Sequence, residues 1–146
     1  TSTTQKRMPW VLGSVMEVVT FGVGALGGIW LRVGAVGILT IMTIAVRGRT
    51  AGIGLLRALG ASRRLILALF LAEATLLAAA GGGAGLALGL GVGQALTRLV
   101  PALPVHVNWG FALAAEALSA VIGLAAGVLP ARHAASLDPV EALRAE

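Results

Sequence analysis

The sequence predicts an all-α membrane protein with three transmembrane helices and a short basic helix between the first two. Three observations carry this. Of 146 residues, 58% are hydrophobic and only 12% charged, where a soluble domain carries about 25% charged residues. The apolar residues gather into three runs, each at least as long as the roughly 20 residues needed to cross a bilayer. The arginines gather into one short loop between two of these runs. Other classes fall away at once. Zero cysteines exclude a disulfide scaffold and a thiolate metal site. The 21 glycines follow no Gly-X-Y period, which excludes collagen.

Residues 1–17 begin without a methionine and without the charged-then-apolar pattern of a signal peptide. This stretch is expected to be the remnant of a longer polypeptide. The first span is expected over 18–46, interrupted only by Arg32. The loop 47–64 contains Arg47, Arg49, Arg57, Arg63 and Arg64 and no acid. The second span, 65–98, has Glu73 as its only charge before Arg98. A loop at 99–108 leads to the third span, 109–129, whose only charge is Glu116. A tail of 130–146 follows, and Pro130 is expected to end or kink the third span. Basic residues favour the cytoplasmic side, so the arginine loop and the tail are expected inside, and the 99–108 loop and the N-terminus outside.

Small residues recur at helical spacing inside two spans. Gly81, Gly85, Gly89 and Gly93 form one ridge, and Ala115, Ser119, Gly123 and Gly127 another. Such ridges let helix backbones approach closely in lipid, so the second and third spans are expected to pack on each other. Arg32, Glu73 and Glu116 are ionisable groups at membrane depth, where such groups are costly and mark functional or packing sites. At 1.5 Å per residue, Arg32 lies roughly 21 Å and Glu116 roughly 20 Å from the arginine-rich side. Either these two pair across helices, or Arg32 snorkels outward beside Trp30. Glu73 is expected to make a hydrogen bond at a helix interface.

The stretch Arg49–Ala61 reads as a basic amphipathic helix, with Ile53, Leu56 and Leu59 on one face. Gly60 is a natural stop and Ser62 a cap for the next helix. Such a helix lies on the membrane surface or docks into a partner. In the tail, Asp138 as N-cap, Pro139 at the first position and Glu141 at the third mark another helix start. No GxxxxGK[ST] loop and no Ser-His-Asp set is present. His106 and His133 are expected on opposite sides of the membrane, and no metal site is expected. The net charge of +5 sits mostly beside the membrane, so membrane lipid rather than nucleic acid is the expected contact.

The strings IGLLRALGASRR and LPARHAASLDPVEALRAE, in this order around two glycine-rich spans, closely resemble the C-terminal half of the MacB/FtsX-type ABC transporter permease family. The resemblance covers roughly Gly24 to Glu146. It implies a four-span permease of which this chain supplies spans two to four, with residues 1–17 as an extracytoplasmic stalk remnant. It also implies that the segment at 47–64 is a cytoplasmic coupling helix, presenting Arg49, Ile53, Leu55, Leu56, Arg57 and Leu59 to an ABC ATPase subunit or domain. A second permease copy or homologue would complete a dimer in the cytoplasmic (inner) membrane. The chain itself would be no enzyme and hold no cofactor, with ATP and Mg bound by the partner ATPase. The implied mechanism is mechanotransmission, in which ATPase closure moves the stalk and an outer domain. Two other functions stay open at this point: a transmitter of the same fold activating an extracytoplasmic cell-wall enzyme, and a structural membrane subunit with no ATPase. Gly52 stands where the family commonly has a glutamate, Arg32 where it has an apolar residue, and His133 where it often has an arginine.

Overall fold

The computed structural model describes residues 2–102 and 106–144. Thr1, residues 103–105 of the expected outer loop and residues 145–146 of the tail lie outside the described residues. The elements are helices: α1 (Ser2–Gly48), α2 (Thr50–Ala58), α3 (Arg63–Leu99), α4 (Trp109–Ser136) and α5 (Pro139–Arg144). Three of them, over Met8–Gly48, Arg63–Leu99 and Trp109–Ser136, are long and apolar enough to cross a membrane. The protein is an all-α membrane protein.

Each helix boundary has a local cause. Ser62 adopts an extended backbone, and its hydroxyl accepts from the Leu65 amide at 3.2 Å, capping α3. Asn108 does the same for α4 through the Gly110 amide at 2.9 Å. Asp138 starts α5, its carboxylate accepting from the Val140 amide at 2.9 Å. The hydroxyls within the long helices bond back to their own backbone: Thr43 to the Leu39 carbonyl at 2.7 Å, Thr75 to Leu71 at 2.8 Å and Thr97 to Gly93 at 3.0 Å. That satisfies groups that lipid cannot.

Two boundaries differ from the sequence expectation. The 1–17 stretch and the first span form one continuous helix through Pro9. Pro130 does not end the third span, and α4 runs on to Ser136. A proline removes only one ladder hydrogen bond. Beyond it Ala131, Ala134 and Ala135 are buried, and that packing holds the last turns helical.

The chain divides into residues 1–34 and residues 35–146. In the first unit the described part of α1 exposes nearly every residue, including Trp10, Phe21, Leu26 and Trp30. A helix apolar all round is suited to lipid or to a partner, not to water. The second unit has a core of Met42, Val46, Ile53, Ile66, Phe70, Ala74, Ala131, Ala134 and Ala135.

Two packing modes coexist in this unit. At the arginine-rich end, large side chains from the end of α1 (Met42, Val46) and the start of α3 (Ile66, Phe70) fill the core. Further along, α3 and α4 meet backbone to backbone. A Cβ on Gly123 would collide with the Cβ of Ala78, and one on Gly127 with the Cβ of Ala74. The Ser119 hydroxyl crosses between the helices to the Ala78 carbonyl at 3.0 Å. Only glycine on one side and alanine on the other permits that approach.

Candidate functional site: the platform of helix α2

Helix α2 is nine residues long, too short to be stable alone, and it is fixed at both ends and underneath. At its C-terminus the Gly60 amide donates to the Arg57 carbonyl at 3.1 Å and the Ala61 amide to the Leu56 carbonyl at 3.0 Å. This crossed pair is a Schellman motif. It requires the left-handed backbone of Gly60, whose φ is +99°, a conformation that side chains with a Cβ rarely adopt. At its N-terminus the Thr50 hydroxyl donates to the Val46 and Arg47 carbonyls at 3.1 and 2.9 Å. This ties the helix start to the end of α1.

Underneath lies α5. A Cβ on Gly54 would come within 2.6 Å of the Ala142 Cβ and 3.4 Å of the Pro139 carbonyl oxygen. The Ile-Gly pair of α2 therefore sits directly on the Asp-Pro-Val-Glu-Ala turn of the tail. The two strings singled out in the sequence, some eighty residues apart, form one contact.

This seat decides which α2 side chains are available. Ile53 and Gly54 are buried and Arg57 is half-buried, while Leu55, Leu56 and Leu59 are exposed. Ile53 was expected on the presented face with Leu56. It is only 3% exposed and belongs to the core, so it supports the platform from below. The exposed leucines reverse the pattern of a soluble amphipathic helix, whose apolar face turns inward.

A cleft of about 630 Å3 opens between α2 and α3, lined by Gly48, Arg49, Gly52, Ile53, Leu56 and Phe70 among others. Across it the Arg49 guanidinium reaches Glu73 at 3.5 Å. This is the one ion pair among the described residues. Glu73 was expected to hydrogen-bond at a helix interface; its partner is the arginine at the start of α2. Neither side chain is buried by the protein, 63% and 38% exposed.

Glu116 behaves differently. Its Oε2 is buried with no hydrogen-bond partner among the described residues, and it lies 2.7 Å from where a Gly82 Cβ would stand. Within residues 35–146 it has no arginine partner, and Arg32, in the other unit, is exposed. Of the expected ridges, Gly123, Gly127 and Ser119 lie at the α3–α4 contact. Ala115 is exposed, and a Cβ on Gly81, Gly85 or Gly89 would meet nothing within 4 Å. The surface that α3 turns to α4 is Ala74, Ala78 and Gly82 instead, one residue and hence about 100° round the axis. That ridge was readable as a four-residue spacing of small residues once alanine is counted with glycine. The seat of Gly54 on Ala142 had no local signal, because it joins distant segments.

Similarity to other proteins agrees with this layout. The domain family described as FtsX-like permease C-terminal matches residues 19–139. A Bacillus subtilis protein named as an uncharacterized ABC transporter permease, YknZ, is 40% identical over 135 residues, covering 92% of this chain and 34% of the relative. The macrolide export ATP-binding/permease protein MacB of Bradyrhizobium diazoefficiens is 41% identical over 133 residues, covering 91% of this chain and 20% of the relative. The pyoverdine export ATP-binding/permease protein PvdT of Pseudomonas putida is 44% identical over 127 residues, covering 84% and 18%. The chain thus spans about a third of the first relative and about a fifth of the other two. By the family match over residues 19–139, the chain belongs to the MacB/FtsX-type ABC transporter permease family, as its FtsX-like C-terminal part.

Proposed function

We propose that this chain is the membrane-spanning part of an ABC permease that receives the conformational change of a partner ATPase through α2. It passes that change to an extracytoplasmic stalk by mechanotransmission, as one copy of a dimer in the cytoplasmic membrane. ATP and Mg are handled by the partner, and the chain contributes shape and contact rather than catalysis. The arginine-rich end faces the cytoplasm.

The observation that carries this reading is the platform. Leu55, Leu56 and Leu59 are exposed on a helix held from below by α5. A cluster of exposed leucines on a seated helix marks an interaction surface. The surrounding Arg49 and Arg57 suit an acidic rim on the partner.

The test is co-purification of the ATPase with the permease, together with stimulation of its hydrolysis. Leu56→Asp and Leu59→Asp are expected to lower co-purification by roughly tenfold or more, since burying an unpaired carboxylate at a contact costs several kcal/mol. The spans are expected to keep their helical signal in detergent. Full retention of the ATPase by both variants would overturn the docking role.

A further inference from the structure

At the same end of this unit, the start of α3 and the end of α4 border a shallow recess of about 220 Å3. Its lining is Arg63, Arg64 and Leu67 from α3, and Arg132, Ala135 and Ser136 from α4. Three exposed arginines from two helices therefore border one recess, and none of them has a carboxylate partner among the described residues. The nearest acid in sequence, Asp138, is occupied in capping the Val140 amide. The Ser136 hydroxyl donates its proton to the His133 carbonyl at 2.8 Å, which leaves the three arginines as the free donors at the rim of the recess. The recess lies between the first turn of α3 and the last turns of α4, whose opposite partial charges offset one another, so the arginines set its sign.

Uncompensated arginines held together repel one another, and an anion between them removes that repulsion. Arginine's planar fork matches phosphate oxygens in pairs. The remaining lining, Leu67 and Ala135, is apolar. Along α3 and α4 beside it, Leu65 and Leu129 are exposed. A phosphate with apolar chains attached satisfies both halves of this environment, whereas a free phosphate satisfies only one.

We infer that this pocket binds the phosphate headgroup of an anionic phospholipid, with the acyl chains lying along the exposed faces of α3 and α4. The inference rests on the reading of this end as the cytoplasmic boundary of a membrane-spanning permease. It does not depend on ATPase docking, because none of its residues belongs to α2. The two readings therefore fail separately: one by loss of lipid, the other by retention of the ATPase.

The experiment is native mass spectrometry of the chain released from nanodiscs of equimolar phosphatidylcholine and phosphatidylglycerol. The wild type is expected to retain phosphatidylglycerol in preference to phosphatidylcholine. Arg63→Gln and Arg132→Gln are each expected to lower that retention about fivefold, the factor that corresponds to about 1 kcal/mol per arginine near an anionic surface. Arg98→Gln removes the same charge at the opposite end of α3 and is expected to leave retention unchanged. Because the two pocket variants are tested singly and both side chains are exposed, loss of fold in one leaves the other decisive. Equal retention of both lipids by the wild type, or equal losses in all three variants, would overturn the site. Added inorganic phosphate that binds without lipid and displaces phosphatidylglycerol would overturn the lipid as its source.

Discussion

Gly123 and Gly127 have no side chains, and that absence sets the distance between α3 and α4. Their Cβ positions are already taken by Ala78 and Ala74. Gly123→Leu is therefore expected to force the helices apart and lower stability by about 1–3 kcal/mol, the usual cost of overpacking. Gly85→Ala, where an added Cβ meets nothing, is expected to leave stability unchanged or raise it by up to about 1 kcal/mol through helix propensity. Unfolding midpoints of both variants in detergent decide this. Equal losses would mean that the Gly85 face is also a contact. The contrast shows what residue pattern can and cannot convey. A four-residue repeat of small side chains identifies a helix that packs closely, and α3 is such a helix. It has two such repeats side by side, one of glycine and one led by alanine. Only the positions of Ser119, Gly123 and Gly127 on the partner select the second. The lone Oε2 of Glu116 was equally illegible. Its place against Gly82 depends on rotation about the helix axis, which apolar helices do not encode strongly.

At the scale of elements, α2 depends on its neighbours more than on its own sequence. Nine residues with two internal glycines, Gly52 and Gly54, have little intrinsic helicity. The Schellman closure at Gly60, the cap at Ser62 and the seat on α5 hold it. The caps were legible because they are local: Gly60, Ser62 and Asp138 act within three residues of themselves. The seat was not, because Gly54 and Ala142 come together only when α3 and α4 have folded back. Gly54→Val is expected to lift α2 from α5, since even its Cβ would stand 2.6 Å from that of Ala142. Loss of ATPase stimulation with an unchanged span signal by circular dichroism would be the outcome. Stimulation equal to wild type would mean that α2 is presented without its seat. The Arg49–Glu73 pair belongs to the same element. It joins the residue before α2 to the side of α3.

For the whole molecule, three helices long enough to cross a bilayer place the arginine loop and the 99–108 loop on opposite sides. Span number and order were legible because hydropathy sums over about 20 residues and survives local errors. The continuation of α1 back to Ser2 and of α4 past Pro130 was not, since each rests on packing or on the tolerance of a helix for one lost hydrogen bond. The absence of cysteine makes single-cysteine reporters clean. With an impermeant thiol reagent on intact cells, Ala102→Cys is expected to label directly and Leu59→Cys only after permeabilisation. Both positions are exposed. The reverse pattern would invert the proposed orientation.

The contact between Gly54 and Ala142 also imposes an order on biosynthesis. When α2 leaves the ribosome, nothing is yet present for it to rest on. Its support follows some eighty residues later, after two more helices have been inserted. Until then a nascent chain has its leucines but no rigid surface to offer them from. On the proposed reading, a chain stalled between α2 and α5 would lack the seat from which α2 meets its ATPase.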